Sequence, residues 1–193
     1  MKERPGSPRL RLFVALDLPQ RIVTPLAEWT GEAFGGHADL RPVRPESLHV
    51  TLVFLGYMYE RDVEQIKEIT FARDLPRFEL QAEDVQPVPR ARPRLFALGL
   101  TDAGEQVTRW QEDLSARLQA GRLYEPEKRR FWPHVTLARA KRGKTPRGVT
   151  VPELPDELRQ PFEPADVTLY QSTLRPQGAV YEPLAKGKKT PVH

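Results

Sequence analysis

The 193-residue chain contains no cysteine, and none of its apolar runs is long enough to cross a membrane. The lack of cysteine excludes disulfide bonds and thiolate metal sites, and it fits a protein of the reducing cytosol. A bilayer-spanning helix needs about 20 consecutive apolar residues, so we expect none. The first ten residues carry charges and prolines but no apolar signal core. We therefore expect a cytoplasmic protein.

Positive charge is unevenly distributed, although the net charge is only +4. The stretch 128–151 has no acidic residue and eight basic ones, which are Lys128, Arg129, Arg130, Arg139, Lys141, Arg142, Lys144 and Arg147. A second basic cluster is formed by Arg90, Arg92 and Arg94. Such clusters attract partners that carry phosphate. A solvated loop with no partner would look the same, so charge alone leaves both interpretations open.

Two sequence patterns occur twice, in the same order and at nearly the same spacing. Arg11-Leu12-Phe13 recurs 83 residues later as Arg94-Leu95-Phe96, and His49-Val50-Thr51-Leu52 recurs 85 residues later as His134-Val135-Thr136-Leu137. Chance produces one such match more easily than two. An internal duplication is therefore the first organising feature of the chain.

Each half is predicted to be a strand, a helix and a His-bearing strand. Hydrophobic spacing predicts strands at 12–16, 49–55, 77–86, 95–100, 131–138, 163–174 and 179–185. It predicts helices at 20–34 and 60–72, and a third that begins at the N-cap Asp102 and ends near Gly121. Gly56 should stop the first His-bearing strand, and Pro176-Gln177-Gly178 should form a turn. The segment 141–161 is predicted to be a long loop.

These elements predict an α+β fold, a bilobal pseudo-twofold duplication with two antiparallel sheets around a central cleft and helices outside. The single domain should span 9–186, with a first repeat at about 9–90 and a second at about 91–186. Strands could be exchanged between the lobes. Residues 1–8 and 187–193 are expected to be flexible tails.

Alternation along a strand predicts which side chains face the cleft. His49 and Thr51 should point one way, and Val50, Leu52 and Phe54 the other, toward the core. The second motif should behave alike. A pseudo-twofold axis would then bring two His/Thr pairs face to face.

Two imidazoles across one cleft suit the opening of a 2′,3′-cyclic phosphate. A neutral imidazole can take a proton from water, and an imidazolium can give one to the leaving oxygen. Threonine hydroxyls can donate hydrogen bonds to the phosphate oxygens. Packing would preserve the apolar residues of such a repeat, but it gives no reason to keep His and Thr on the opposite face.

The histidines also have structural interpretations. A single His-x-Thr is weak evidence, since threonine favours strands. A zinc site is disfavoured because no carboxylate stands at ligand spacing from either His49 or His134. His37 is predicted to be a loop residue, and His193 is terminal.

These residues together resemble the two-histidine phosphoesterase superfamily, and within it the RNA 2′,3′-cyclic phosphodiesterases, also called 2′-5′ RNA ligases of the LigT or ThpR type. The resemblance runs from about Arg11 to Lys186. It is carried by the segments 11–19, 47–56, 131–139, 167–172 and 181–184, which include both His-x-Thr motifs.

The resemblance implies two antiparallel lobes around a cleft and hydrolysis to a 2′-phosphate without metal or nucleotide cofactor. It implies that His49 is the proton donor and His134 the proton acceptor. It also implies that Thr51, Thr136 and Arg139 contact phosphate. Simple alternation would place Arg139 on the opposite face from His134, so this role requires a twist or a strand end.

The sequence thus predicts a monomeric hydrolase of RNA ends or small cyclic nucleotides, with 2′-5′ ligation as a secondary reverse reaction. One rival is a non-catalytic RNA-binding protein that uses the same basic cleft. A second is another reaction of the superfamily, such as trimming oligonucleotide ends or cleaving a different cyclic phosphate. The pseudo-symmetry alone allows either order of acid and base.

Overall fold

The computed structural model describes residues 8–187 of the chain. Most of the two predicted flexible tails, residues 1–7 and 188–193 with His193, lies outside the described residues. The inner ends of those tails are tied to the fold. The Pro8 carbonyl accepts a hydrogen bond from the Glu60 amide, and the Gly187 amide donates one to the Val167 carbonyl.

Residues 8–187 form eight strands and three α-helices, in keeping with the predicted α+β class. The strands are β1 (Arg9–Asp17), β2 (Leu40–Pro42), β3 (His49–Tyr59), β4 (Leu80–Val88), β5 (Leu95–Asp102), β6 (His134–Ala140), β7 (Val167–Arg175) and β8 (Gly178–Lys186). The helices are α1 (Gln20–Phe34), α2 (Val63–Phe71) and α3 (Gln106–Ala120).

The strands pair antiparallel in the order β4-β5-β6-β3-β1-β7-β8, and β2 pairs with β6. One lobe is built on β3, β1, β7 and β8, and the other on β4, β5, β6 and β2. A single residue pair, Val50 with Val135, joins the two lobes through β3 and β6. Both lobes use strands from both halves of the chain, since β2 and β4 pair with later strands and β7 pairs with β1.

The helices cover the apolar face of the sheet. Ile22, Leu26 and Trp29 of α1 are buried at helical spacing, as are Val107, Leu114 and Leu118 of α3. Burial of these stripes is the main stabilising contribution, since each fully buried large apolar side chain contributes about 1.5–3 kcal/mol. None of the described helices has the length and apolar character required to cross a membrane.

Several predicted boundaries shift. Strand β3 continues past Gly56 to Tyr59, because the glycine adopts a positive φ of 74° that carries the chain through an irregularity in the β1–β3 pairing. The second His-bearing strand begins at His134 rather than at residue 131. Helix α3 has Glu105 in the N-cap position, so Asp102 is not its N-cap. Asp102 still accepts hydrogen bonds from the Val107 and Thr108 amides.

Candidate active site

The pair between Val50 and Val135 places the two His-x-Thr motifs side by side. The two valines are equivalent residues of the duplication, so the local pseudo-twofold axis passes through their pair. In antiparallel register the residues that flank such a pair are cross-strand neighbours. His49 therefore lies beside Thr136, and Thr51 lies beside His134. Both valines are buried, so the flanking side chains point to the opposite face, into the cleft.

The two histidine rings are held in the same way. Nδ1 of His49 lies 2.8 Å from the Ser47 carbonyl oxygen, and Nδ1 of His134 lies 2.8 Å from the Trp132 carbonyl oxygen. A carbonyl only accepts, so each Nδ1 carries the donated proton. In the neutral rings each Nε2 is therefore a hydrogen-bond acceptor. Nε2 of His49 lies 3.1 Å from the Thr51 hydroxyl, which donates to it.

An aromatic ring stacks on each histidine. Phe13 stacks on His49 with ring centroids 4.9 Å apart, and Trp132 stacks on His134 with centroids 4.5 Å apart. Tyr181 meets the His49 ring edge-on at 5.3 Å. These contacts fix the ring planes and remove water from the imidazoles, which disfavours the charged form.

The pKa values of both histidines lie below the ordinary value. Burial lowers the pKa of His49 to about 4, although the Ser47 carbonyl and the Asp17 carboxylate act in the opposite direction. Burial also lowers the pKa of His134, against the opposing effect of the Trp132 carbonyl. The positive charge of Arg139 lowers the pKa of both rings, so Arg139 is close enough to act on both.

Arg139 reaches the cleft because β6 contains a bulge. Thr136 pairs with Ala97 and Ala138 pairs with Phe96, which leaves Leu137 as an extra residue. The extra residue reverses the alternation, so Leu137 and Ala138 are both buried and Arg139 returns to the face of Thr136. The arginine's position beyond the motif thus needs a bulge, which simple alternation did not predict.

The same bulge occurs in β3, and it corrects one prediction. Thr51 pairs with Ala15 and Val53 pairs with Val14, so Leu52 is the extra residue. Phe54 consequently leaves the core face and is 40% exposed. The prediction that Phe54 packs in the core with Val50 and Leu52 is wrong for this reason. Phe54 is the counterpart of Arg139, and the Arg11 guanidinium lies 4.5 Å above its ring.

A polar cluster behind His49 was not identified from the sequence. Asp17 on β1 pairs with His49, and its carboxylate accepts hydrogen bonds from the Thr168 and Tyr170 hydroxyls at 2.8 and 2.7 Å. Lys186 is ion-paired with the same carboxylate at 3.3 Å. Burial and the hydrogen bond from the Tyr170 hydroxyl to Asp17 raise the pKa of Tyr170. An acidic residue at the end of an apolar strand, opposite a motif histidine, was the available signal.

The basic stretch 128–151 divides between the cleft and the outside of the fold. Arg129 and Arg130 line the cleft beside His134. The Lys141 ammonium donates to the Ala38 carbonyl, and Lys144 is ion-paired with Asp39 at 3.8 Å, so these two residues contact the loop after α1. His37 lies in that loop, where its Nδ1 accepts a hydrogen bond from the Asp39 amide.

Comparisons with known proteins agree with this geometry. The family model described as LigT like Phosphoesterase matches residues 16–96 and 98–181. A protein named RNA 2′,3′-cyclic phosphodiesterase in Archaeoglobus fulgidus is 30% identical over 179 residues, which are 91% of this chain and 98% of that protein. The protein of the same name in Escherichia coli is 27% identical over 176 residues, 91% of this chain and 94% of its own length.

Solved structures extend the likeness to three dimensions. Escherichia coli LigT complexed with 3′-AMP superposes with a TM-score of 0.79 at 26% identity, and the match covers 95% of this chain and all of that one. Protein TT0787 of Thermus thermophilus superposes with a TM-score of 0.76 at 29% identity, covering 92% and 97%. The duplicated motifs, the shared cleft and the family match lead to one conclusion: the chain belongs to the LigT-like family of two-histidine phosphoesterases.

Proposed function

We propose that the protein is an RNA 2′,3′-cyclic phosphodiesterase that opens cyclic phosphate ends to 2′-phosphates. The observation that carries the proposal is the matched pair of imidazoles. Each ring has its Nδ1–H held by a carbonyl, and the two stand on either side of the Val50–Val135 pair. The names of the relatives support the same substrate class.

In the proposed mechanism the cyclic phosphorus atom sits between the two rings. Nε2 of neutral His134 takes a proton from water as the water oxygen attacks phosphorus. The bond from phosphorus to O3′ breaks in line, and protonated His49 gives its Nε2 proton to O3′. The product has a 2′-phosphate and a free 3′-hydroxyl. Thr51, Thr136 and Arg139 donate to the non-bridging oxygens, where negative charge grows.

The charge balance of the site explains how one ring is protonated at the right moment. With a pKa of about 4, His49 is neutral at pH 7 in the empty cleft. The substrate carries a negative charge between the rings, and an adjacent anion raises the pKa of an imidazole. Asp17 acts on His49 in the same direction. Substrate binding therefore raises the pKa of both rings, and Asp17 adds to this effect at His49. The order of acid and base rests on the family resemblance.

The proposal includes three further statements. The chemistry needs no metal or nucleotide cofactor, because the two imidazoles move both protons. The protein acts as a monomer, since one chain supplies every proposed catalytic residue, and in the cytoplasm, which the lack of cysteine fits. The reverse reaction, 2′-5′ joining of RNA ends, passes through the same transition state and is a secondary activity.

The test uses a nucleoside 2′,3′-cyclic phosphate in the presence of EDTA, with the product identified by ³¹P NMR. We expect a 2′-phosphate and a bell-shaped dependence of kcat/KM on pH. His49→Ala and His134→Ala should each reduce kcat/KM at least about a hundredfold. His37→Ala, in the loop after α1, is the matched control and should retain the parent rate.

The outcomes separate the enzyme from its rival. Turnover by either His49→Ala or His134→Ala at the parent rate would contradict the assignment. A parent protein that binds RNA with a cyclic end but leaves it intact would favour the RNA-binding alternative. Loss of activity with EDTA, restored by a divalent cation, would contradict the metal-free mechanism.

A further inference from the structure

Two pockets lie beside the two motifs, and we interpret them as halves of the cleft that the internal pseudo-twofold axis relates. The aromatic half, of about 500 Å³, is lined by Thr51, Phe54, Tyr124, Phe131, Trp132 and His134. The arginine half, of about 730 Å³, is lined by Arg11, Arg41, Arg44, Ser47, Arg139 and Tyr181. Phe54 and Trp132 of the first half are the counterparts of Arg139 and Ser47 in the second. His49 belongs to the arginine half, since it contacts both Ser47 and Tyr181.

The two halves differ in charge. Among the residues that the structure describes, the lining of the arginine half includes no carboxylate. Arg11 donates to the Ser172 hydroxyl, and Arg41 donates to the Pro176 carbonyl, so neither has its charge neutralised by these contacts. Arg44 is ion-paired with the exposed Glu46 at 4.0 Å. The lining of the aromatic half, by contrast, includes Glu112 and Glu127 as well as Arg129 and Arg130, and Arg130 is ion-paired with Glu105. One half thus suits anions, and the other suits a flat ring that can stack.

The covalent structure of a nucleotide has a matching asymmetry. In ribose, the base is attached to C1′, next to the carbon that bears O2′. The 5′ carbon and its phosphate are attached to C4′, next to the carbon that bears O3′. A cyclic phosphate held on the pseudo-twofold axis therefore extends in two directions. Its base lies on the O2′ side, and the preceding phosphates of the RNA lie on the O3′ side.

We propose that the divergence of the two half-clefts orients the substrate and so determines which oxygen leaves. The aromatic half takes the terminal base, and Arg41 and Arg44 of the arginine half bind the 5′ phosphate of the terminal nucleotide. O3′ then faces His49, and water reaches phosphorus from the side of His134. This inference rests on the proposed function. It makes oligonucleotide ends the preferred substrates over mononucleotides, with Arg41 and Arg44 as specificity-determining residues.

The first experiment compares three substrates that differ in one group each. They are uridine 2′,3′-cyclic phosphate, the same compound with a 5′-phosphate, and 1-O-methylribose 2,3-cyclic phosphate, which has no base. We expect the 5′-phosphate to raise kcat/KM at least about tenfold at low salt, as a charge-assisted contact to an arginine provides. The advantage should shrink as salt increases. The baseless compound should give a mixture of 2- and 3-phosphates.

The second experiment assigns the effect to the two half-clefts. Arg41→Gln and Arg44→Gln should each lower the ratio of the two uridine substrates at least about threefold, and the double variant should bring it close to one. Arg21→Gln is the matched control, since Arg21 is an exposed residue of α1, and this variant should keep the parent ratio. Phe54→Ala should give some 3′-phosphate from uridine 2′,3′-cyclic phosphate. Tyr57→Ala, an exposed aromatic on the same strand, should not.

The results distinguish the inference from the function beneath it. Suppose that the parent opens the uridine substrate to a 2′-phosphate but a 5′-phosphate does not raise kcat/KM. The orienting role of the arginine half is then wrong, and the proposed enzymatic function is unaffected. A single product from the baseless compound would equally overturn the role of the aromatic half. A parent that opens none of the three substrates would overturn both proposals.

Discussion

Asp17 and Gly99 occupy equivalent positions beside the two catalytic candidates. Asp17 on β1 pairs with His49, and Gly99 on β5 pairs with His134, in the same local register. Asp17 places a carboxylate behind the first ring, whereas Gly99 has no side chain to place behind the second. A Cβ at Gly99 would lie 3.0 Å from the Glu83 carboxylate and 3.5 Å from the Trp132 indole. The Asp17 carboxylate raises the pKa of His49, and Gly99 supplies no such charge at the equivalent position, while burial lowers the pKa of both histidines.

Asp17→Asn should lower the pKa of His49 below that of the parent, because the substitution removes the negative charge that raises it. A lower pKa leaves a smaller fraction of His49 protonated at neutral pH, so kcat/KM at pH 7 should fall with the pKa. The histidine pKa values can be followed by NMR. Asp166→Asn is the matched control, since Asp166 approaches the same Lys186. An unshifted His49 in Asp17→Asn would contradict the assignment.

Arg139→Met should raise the pKa of both His49 and His134, because the guanidinium charge lowers both. The substitution also removes a charge-assisted donor to phosphate, so kcat/KM should fall about 10- to 100-fold. Arg142→Met removes the same charge from the exposed start of the loop and serves as the control. A normal rate with unchanged histidine titrations would show that Arg139 does not face the site.

Stability should depend on pH through His49. Its pKa falls from 6.5 in the unfolded chain to about 4 in the fold, so the unfolded chain binds the proton first as the pH drops. The contribution of the neutral ring is fully present above pH 6.5 and is lost as the pH falls toward 4, to a total of roughly 3 kcal/mol. The free energy of unfolding, measured with urea, should therefore fall more steeply as the pH drops through this window in the parent than in His49→Asn. If the free energy of unfolding had the same pH dependence in both proteins, the lowered pKa of His49 would be contradicted.

The Trp29 indole of α1 is one of the contacts that hold the loop 141–161. The Trp29 indole N–H donates to the Glu153 carbonyl at 3.2 Å, and Trp29 is otherwise buried. Trp29→Phe should lower the free energy of unfolding by about 1 kcal/mol through this bond, with a further packing cost. Proteolysis of the loop should become faster. Under conditions in which both proteins are fully folded, kcat/KM should stay at the parent value. A loop that is cleaved by protease at the parent rate would show that the hydrogen bond does not stabilise it.

The repeated motifs made much of this molecule predictable. Helix α1 begins and ends at the predicted residues because Ile22, Leu26 and Trp29 stand at a spacing that only a helix turns to one face. The α+β class, the central cleft and the family followed from the recurrence of His-x-Thr on two short apolar runs. The roles of His49, His134, Thr51, Thr136 and Arg139 remain predictions that the variants above can test.

The direction of two side chains was not predictable from alternation. Leu52-Val53 and Leu137-Ala138 are consecutive apolar pairs, and each pair breaks the period of two that a regular strand would show. Such a pair fits a bulge, but it fits equally well a strand buried on both faces. Only the partner strands, β1 and β5, fix which residue is left unpaired. This choice sends Phe54 and Arg139 into the cleft.

The sequence by itself determined the duplication, the apolar stripes and the two imidazoles, because these depend on residue type and on spacing along one element. The tertiary structure decided the rest: that Val50 meets Val135, that Asp17 stands behind one histidine only, and that one half of the cleft is aromatic and the other cationic. Those features arise from contacts between strands far apart in the chain, and local spacing carries no record of such contacts.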